Sequence, residues 1–196
     1  DPVMRLAEVM LNWLEAKAEL ALMGGDPIIQ DDIEKTINQI RKRPLDETAI
    51  KKGLQQTAPM MLSDITADFD PDRDKGNLVA GDYEVDPLIW EIRRERRVEL
   101  FGEGYRFDDL RRWACGKRLD ASVAPRMGMI PDAKLYSAEN ITAMQNVLGT
   151  NSKGELDIYS KRVDTQARFE DPKNYLFAIP TNEISINPNL TQNTGW

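Results

Sequence analysis

EIRRERRVELFGEGYRFDDLRRW, residues 91–113, places seven arginines and six acidic residues within 23 positions. Such a stretch can be a basic surface, a catalytic cluster or a set of internal ion pairs. The whole chain decides against the first. Its 196 residues carry 26 basic and 33 acidic side chains, a formal charge of −7. A protein that binds nucleic acid by releasing counterions from phosphates is ordinarily basic, so no nucleic-acid partner is expected. The chain has no histidine and one cysteine, Cys115. The commonest general base is missing, and neither a disulfide nor a zinc cluster can form within the chain. Cys115 reads as a small residue closing a helix after Trp113, not as a nucleophile.

Helical phase places the charges. On a wheel of about 100° per residue, Leu88, Ile89, Ile92 and Leu100 share one face of a helix over 86–101. Arg96 and Glu99 fall in the same arc, three apart, and are expected to pair there, while Glu91 and Arg94 point away. Charges inside an apolar stripe are costly unless paired. GEG at 102–104 breaks the helix. A second helix from about 105 to 114 then buries Phe107, Leu110 and Ala114, with Arg106, Asp109 and Trp113 alongside. The stretch therefore reads as a helical hairpin, 86–114, locked by arginine–carboxylate pairs. An acid/base role for Glu99 and Asp109, or an anion clamp made by the arginines, is the less favoured alternative, because six acids leave little net charge to attract a ligand, and no catalytic residue is assigned.

Upstream, residues 3–23 predict a long helix with Leu6, Val9, Met10, Trp13, Leu14, Leu20 and Ala21 at helical spacing. Leu11, Ala18 and Leu22 widen its apolar arc, leaving Arg5, Glu8, Asn12, Glu15 and Glu19 on a narrow opposite face. GGDP at 24–27 ends it. A second helix over 31–43, buried through Ile33, Ile37 and Ile40, completes a hairpin of 3–43. Short helices are expected near 46–53 and 138–148. Residues 54–83 form an irregular loop, and 150–196 a loop-rich strap.

Three stretches together resemble the SusD/RagB family of outer-membrane nutrient-binding lipoproteins of Bacteroidetes. They are the quoted signature, RLAEVMLNWLEAKAEL with INQIRKR (5–20 and 37–43), and LFAIPTNEISINPNLTQNTGW (176–196). The resemblance implies a mainly α fold, an α-α superhelix of tetratricopeptide-like helical pairs with long irregular loops. It implies that residues 1–196 are the C-terminal part of such a domain, the lipid anchor belonging to a segment absent from this sequence. The function implied is non-catalytic binding of a nutrient, an oligosaccharide in the first instance, at the outer-membrane surface. The implied partner is a SusC-like TonB-dependent transporter. A tetratricopeptide-type scaffold binding a peptide or protein is the alternative.

No ligand residue can be named from the sequence, and no cofactor or metal is expected. Asp68, Asp70, Asp72, Asp74 and Asp82 with Gly76 suggest a calcium loop, but the glycine is one place late for an EF-hand and no glutamate closes it. Trp13 and Trp113 read as packing residues. Trp90 lies off the stripe beside Arg93 and Arg97, and Trp196 pins the tail.

Overall fold

Asp86 opens the signature helix by accepting from the amides of Leu88 and Ile89 at 2.9 and 3.3 Å, with Pro87 in the first turn, where a missing N–H costs nothing. The structure, a computed structural model, describes residues 4–70, 85–125, 127–159 and 166–196. Its α-helices are α1 (Leu6–Leu22), α2 (Gln30–Lys35), α3 (Ile37–Arg41), α4 (Glu47–Lys51), α5 (Pro87–Glu99), α6 (Arg106–Arg112), α7 (Ala138–Leu148) and α8 (Thr181–Ile186). Among the described residues β-structure is limited to one isolated bridge, Thr150 to Leu156. The fold is mainly α, as expected. The chain divides into two units, Asp1–Asp109 and Leu110–Trp196.

In the first unit α1 packs on α5, and α2 and α3 pack beside them. Leu11, Leu14, Ile33, Ile37 and Ile92 are fully buried at its centre. α1 closes with a Schellman motif, in which the Gly24 and Gly25 amides donate to the carbonyls of Ala21 and Leu20. Gly24 takes φ +93°, which a side chain would resist.

The faces of α1 are not as expected. Glu8 and Glu15 are buried with Leu11, Leu14 and Ala18, whereas Leu6, Val9, Trp13, Leu20 and Leu22 are exposed. The cause lies in the partners they meet: Arg93 of α5 faces Glu15, and the Tyr105 hydroxyl bonds Glu8. The expected helix over 31–43 is also two helices. Thr36 leaves helical backbone (φ −121°, ψ −92°), and its hydroxyl donates to the Asp32 carbonyl at 2.6 Å.

The break serves the following segment. Asn38, fully buried, donates to the Met60 carbonyl at 3.0 Å and accepts from the Met60 amide at 2.7 Å. Gln30 does the equivalent for the Met60 carbonyl and the Leu62 amide, at 3.1 and 2.7 Å. Two amide side chains thus satisfy the backbone of Met60 and the Leu62 amide that opens the 3-10 turn Leu62–Asp64.

The second unit is built around Leu110, Trp113 and Cys115, all buried. Ala114 takes φ +54° and is exposed, and Phe107, just before this unit, is exposed as well. Both were expected in the core. The early end of α6 and the left-handed Ala114 turn Trp113 inward instead. Phe169 and Tyr175 meet edge-to-face with centroids 4.8 Å apart, and the Tyr175 hydroxyl accepts from the Gly116 amide at 3.0 Å. The tail is clipped as residues 60–62 are. Gln192 bonds both the amide and the carbonyl of Ile179, at 2.8 and 2.9 Å, and Asn193 donates to the Phe177 carbonyl at 2.6 Å.

Gly116 is required here for space. A Cβ at this position would lie 2.0 Å from the Phe169 ring. Gly116→Ala should therefore destabilise the second unit by about 1–3 kcal/mol, the usual cost of overpacking. Urea denaturation checks this. The Phe169→Leu background should recover part of the loss, and an unchanged midpoint would show that the ring moves aside freely.

Candidate functional site

Every acidic residue of the signature that was a candidate for chemistry is committed to a cation. Asp109 receives Arg96 Nε at 2.9 and 2.8 Å on its two oxygens, both side chains being buried. Arg96 also donates to Asn12 Oδ1 at 2.7 Å, and its guanidinium lies 5.5 Å over the Tyr105 ring. The expected Arg96–Glu99 pair is replaced by these contacts. Glu99 instead accepts from Arg5 and Arg43, arginines 94 and 56 residues away. Glu91, expected to point outward, is only 1% exposed and is held by Arg94 at 2.7 Å.

The same logic explains the buried glutamates of α1. Glu8 accepts from the Tyr105 hydroxyl at 2.6 Å, a bond that raises the phenol's pKa above its ordinary value. Arg93 lies 3.9 Å from Glu15 and 3.3 Å from Glu19. Arg41 bridges α3 to α5 through Glu95 at 2.6 Å. Glu103 is held below the usual carboxylate range by its hydrogen bond from Arg5. Single exposed ion pairs contribute little, but buried, multiply bonded ones fix the register of the helices they join.

Where α5 ends, Gly102 and Gly104 take φ +79° and +91°, and the turn they make opens a cleft of about 450 Å³. Arg96, Asp109 and Tyr105 line it, along with Arg97, Leu100, Phe101 and Arg106. The volume falls within the range of small-molecule sites. Phe101 is 86% exposed, and Arg97 is exposed. Three of the four α5 arginines (93, 94 and 96) face carboxylates, whereas among the described residues Arg97 does not. A smaller apolar hollow of about 230 Å³ lies among Ala18, Leu22, Ile28, Ile65 and Leu88.

Sequence reasoning named Arg97 as a neighbour of Trp90 and weighed the signature arginines only collectively, as the less favoured anion clamp, and it passed over Phe101. The detectable signal was their spacing, four apart at a helix end just before two glycines.

The tryptophans separate cleanly. Trp113 is buried, as expected for packing, and Arg112 lies 4.7 Å over its ring. Trp13, expected in the core, is 47% exposed with Lys17 5.4 Å over its ring. Trp90, expected off the stripe, is buried because its indole N–H reaches Asp70 at 2.7 Å. Trp196 donates to the carbonyls of Lys173 and Leu176 at 3.2 and 3.1 Å.

Asp70 is thus tied to Trp90, and Asp68 is exposed. Asp72, Asp74, Gly76 and Asp82 lie outside the described residues. Among the described residues no three acidic, cysteine or histidine side chains are grouped to hold a metal. None of the described helices is long and apolar enough to cross a membrane. Cys115 is buried, with its thiol donating to the Trp113 carbonyl at 3.2 Å.

A family model described as "SusD family" covers residues 1–196. No curated protein and no solved structure matches.

Proposed function

We propose, from the premise that this chain belongs to the SusD family, that it binds a nutrient for outer-membrane transport and acts by capture, not turnover. The ligand class is oligosaccharide. The partner is a SusC-like TonB-dependent transporter, and the setting is the outer-membrane surface, reached through a lipid anchor outside this sequence. Residues 1–196 form the C-terminal part of the SusD-like domain in this reading.

The observation that carries the non-catalytic reading is the state of Glu99 and Asp109. A glycoside hydrolase needs one carboxyl to protonate the leaving group and another to attack or activate water. Here Glu99 is held by two arginines and Asp109 by both its oxygens. Both carboxylates are thus engaged in ion pairs within the chain.

A second reading has its own support. α1 turns Leu6, Val9, Trp13 and Leu20 outward, a stripe of the kind that helical scaffolds use against a peptide. Titration of the full-length protein with panels of neutral and acidic oligosaccharides and peptides, with products monitored, separates the two. Saturable glycan binding without reducing-sugar release is expected. Binding of peptides alone would establish the scaffold reading, and release of sugar would overturn both.

A further inference from the structure

We infer that the cleft at the end of α5 is a binding site for a sugar acid, a pyranose carrying a carboxylate. The inference rests on the nutrient-binding reading and narrows its ligand class. Two features of the cleft carry it, and they are complementary.

The first is an unmatched charge. Asp109 sits in the cleft wall, but Arg96 occupies both its oxygens, so an incoming anion meets a neutralised pair there. Arg97 lines the same cleft and has no carboxylate partner among the described residues. A guanidinium presents parallel N–H groups that match the two oxygens of a carboxylate. The other α5 arginines face carboxylates within the chain, and Arg97 has the same group to offer a ligand.

The second is a flat apolar surface. Phe101 is 86% exposed, lies in the turn just past the end of α5, and lines the same cleft as Arg97. No aromatic ring or cation in the described structure stacks on it, in contrast to Phe177, which carries Arg111 4.9 Å over its ring. Pyranose rings have an apolar C–H face that packs on such a ring, with hydroxyls directed to the rim. Gly102 and Gly104 complete the rim, and neither has an atom within 4 Å of where a Cβ would stand, so a ligand can approach the backbone closely.

The floor of the cleft is rigid. Tyr105 is tied to Glu8, and Arg96 to both Asp109 and Asn12. Such a floor need not be ordered when the ligand binds, which lowers the cost of association.

The test is calorimetric titration of the full-length protein with galacturonate- and glucuronate-containing disaccharides, each beside its uncharged counterpart. At least one acidic disaccharide should bind about tenfold or more tightly than its neutral partner. Arg97→Gln should abolish that preference, and Phe101→Ala should weaken binding of the acidic sugar by a similar factor. Both side chains are exposed, so unchanged thermal unfolding should accompany each loss.

Equal affinity for charged and neutral sugars overturns the inference. So does a charge preference that survives Arg97→Gln, or a cleft that binds acidic peptides but no sugar. If neutral oligosaccharides bind and both variants leave them unaffected, this site falls while nutrient binding stands. If no glycan of any charge binds, both readings fall.

Discussion

Arg96→Ala should cost about 3–5 kcal/mol, the loss expected when one partner of a buried ion pair is removed. The effect extends beyond a single lost bond. Asp109, itself buried, would lose the donor to both its oxygens, and Asn12 and the Tyr105 ring would lose their contacts with the guanidinium. Urea denaturation measures it, and a double-mutant cycle identifies the partner. The cycle with Asp109→Asn should show a large coupling, and the cycle with Glu99→Gln a small one. A loss below about 1 kcal/mol for Arg96→Ala, or the reverse order of couplings, would undo this account of the corner.

Trp113→Ala should rival it, at about 3–5 kcal/mol, because a large buried ring leaves a cavity that a small core cannot close. Trp113 is 3% exposed and shares its core with Leu110, Cys115 and the edge of Leu119. Trp13→Ala, on the half-exposed indole of α1, should cost less than about 1 kcal/mol. The contrast is the informative result, because hydropathy treats both as core residues. Equal losses would mean that the outward face of α1 is covered after all. Thermal or urea unfolding followed by far-UV circular dichroism suffices.

Much of the architecture could be read from local chemistry. Asp86 followed by Pro87 marks the start of α5, Ser137 that of α7, and GGDP the end of α1. Arginines facing an apolar stripe also signalled internal pairing, which the structure contains in abundance. The identity of the partners was not legible. Arg96 and Glu99 sit at a favourable spacing on one helix, yet each bonds to residues on other elements. Local spacing says which pairs are possible, and tertiary packing chooses among them.

The inverted α1 shows the same limit. Its most apolar face is not its buried face, because Tyr105 bonds Glu8 and Arg93 of α5 faces Glu15, which makes their burial favourable. The clips made by Gln30, Asn38 and Gln192 bond backbone 13 to 32 residues away, and nothing in their own neighbourhood announces that. For the cleft, the sequence contained Arg97, Phe101 and two glycines. What it lacked was the knowledge that every other α5 arginine would be taken.

The Glu99 junction bears on the order in which the molecule assembles. Arg96 and Asp109 are 13 residues apart, so closing that corner costs little chain entropy. Arg5 and Arg43 must reach Glu99 across 94 and 56 residues, and contacts so distant form only after intervening segments have condensed. The corner is therefore expected to form early and the junction late. Stopped-flow measurements should find that Asp109→Asn slows folding while Glu99→Gln mainly hastens unfolding. With such an order, the glutamate shared by two distant arginines would act on how long the first unit stays folded and not on how fast it folds.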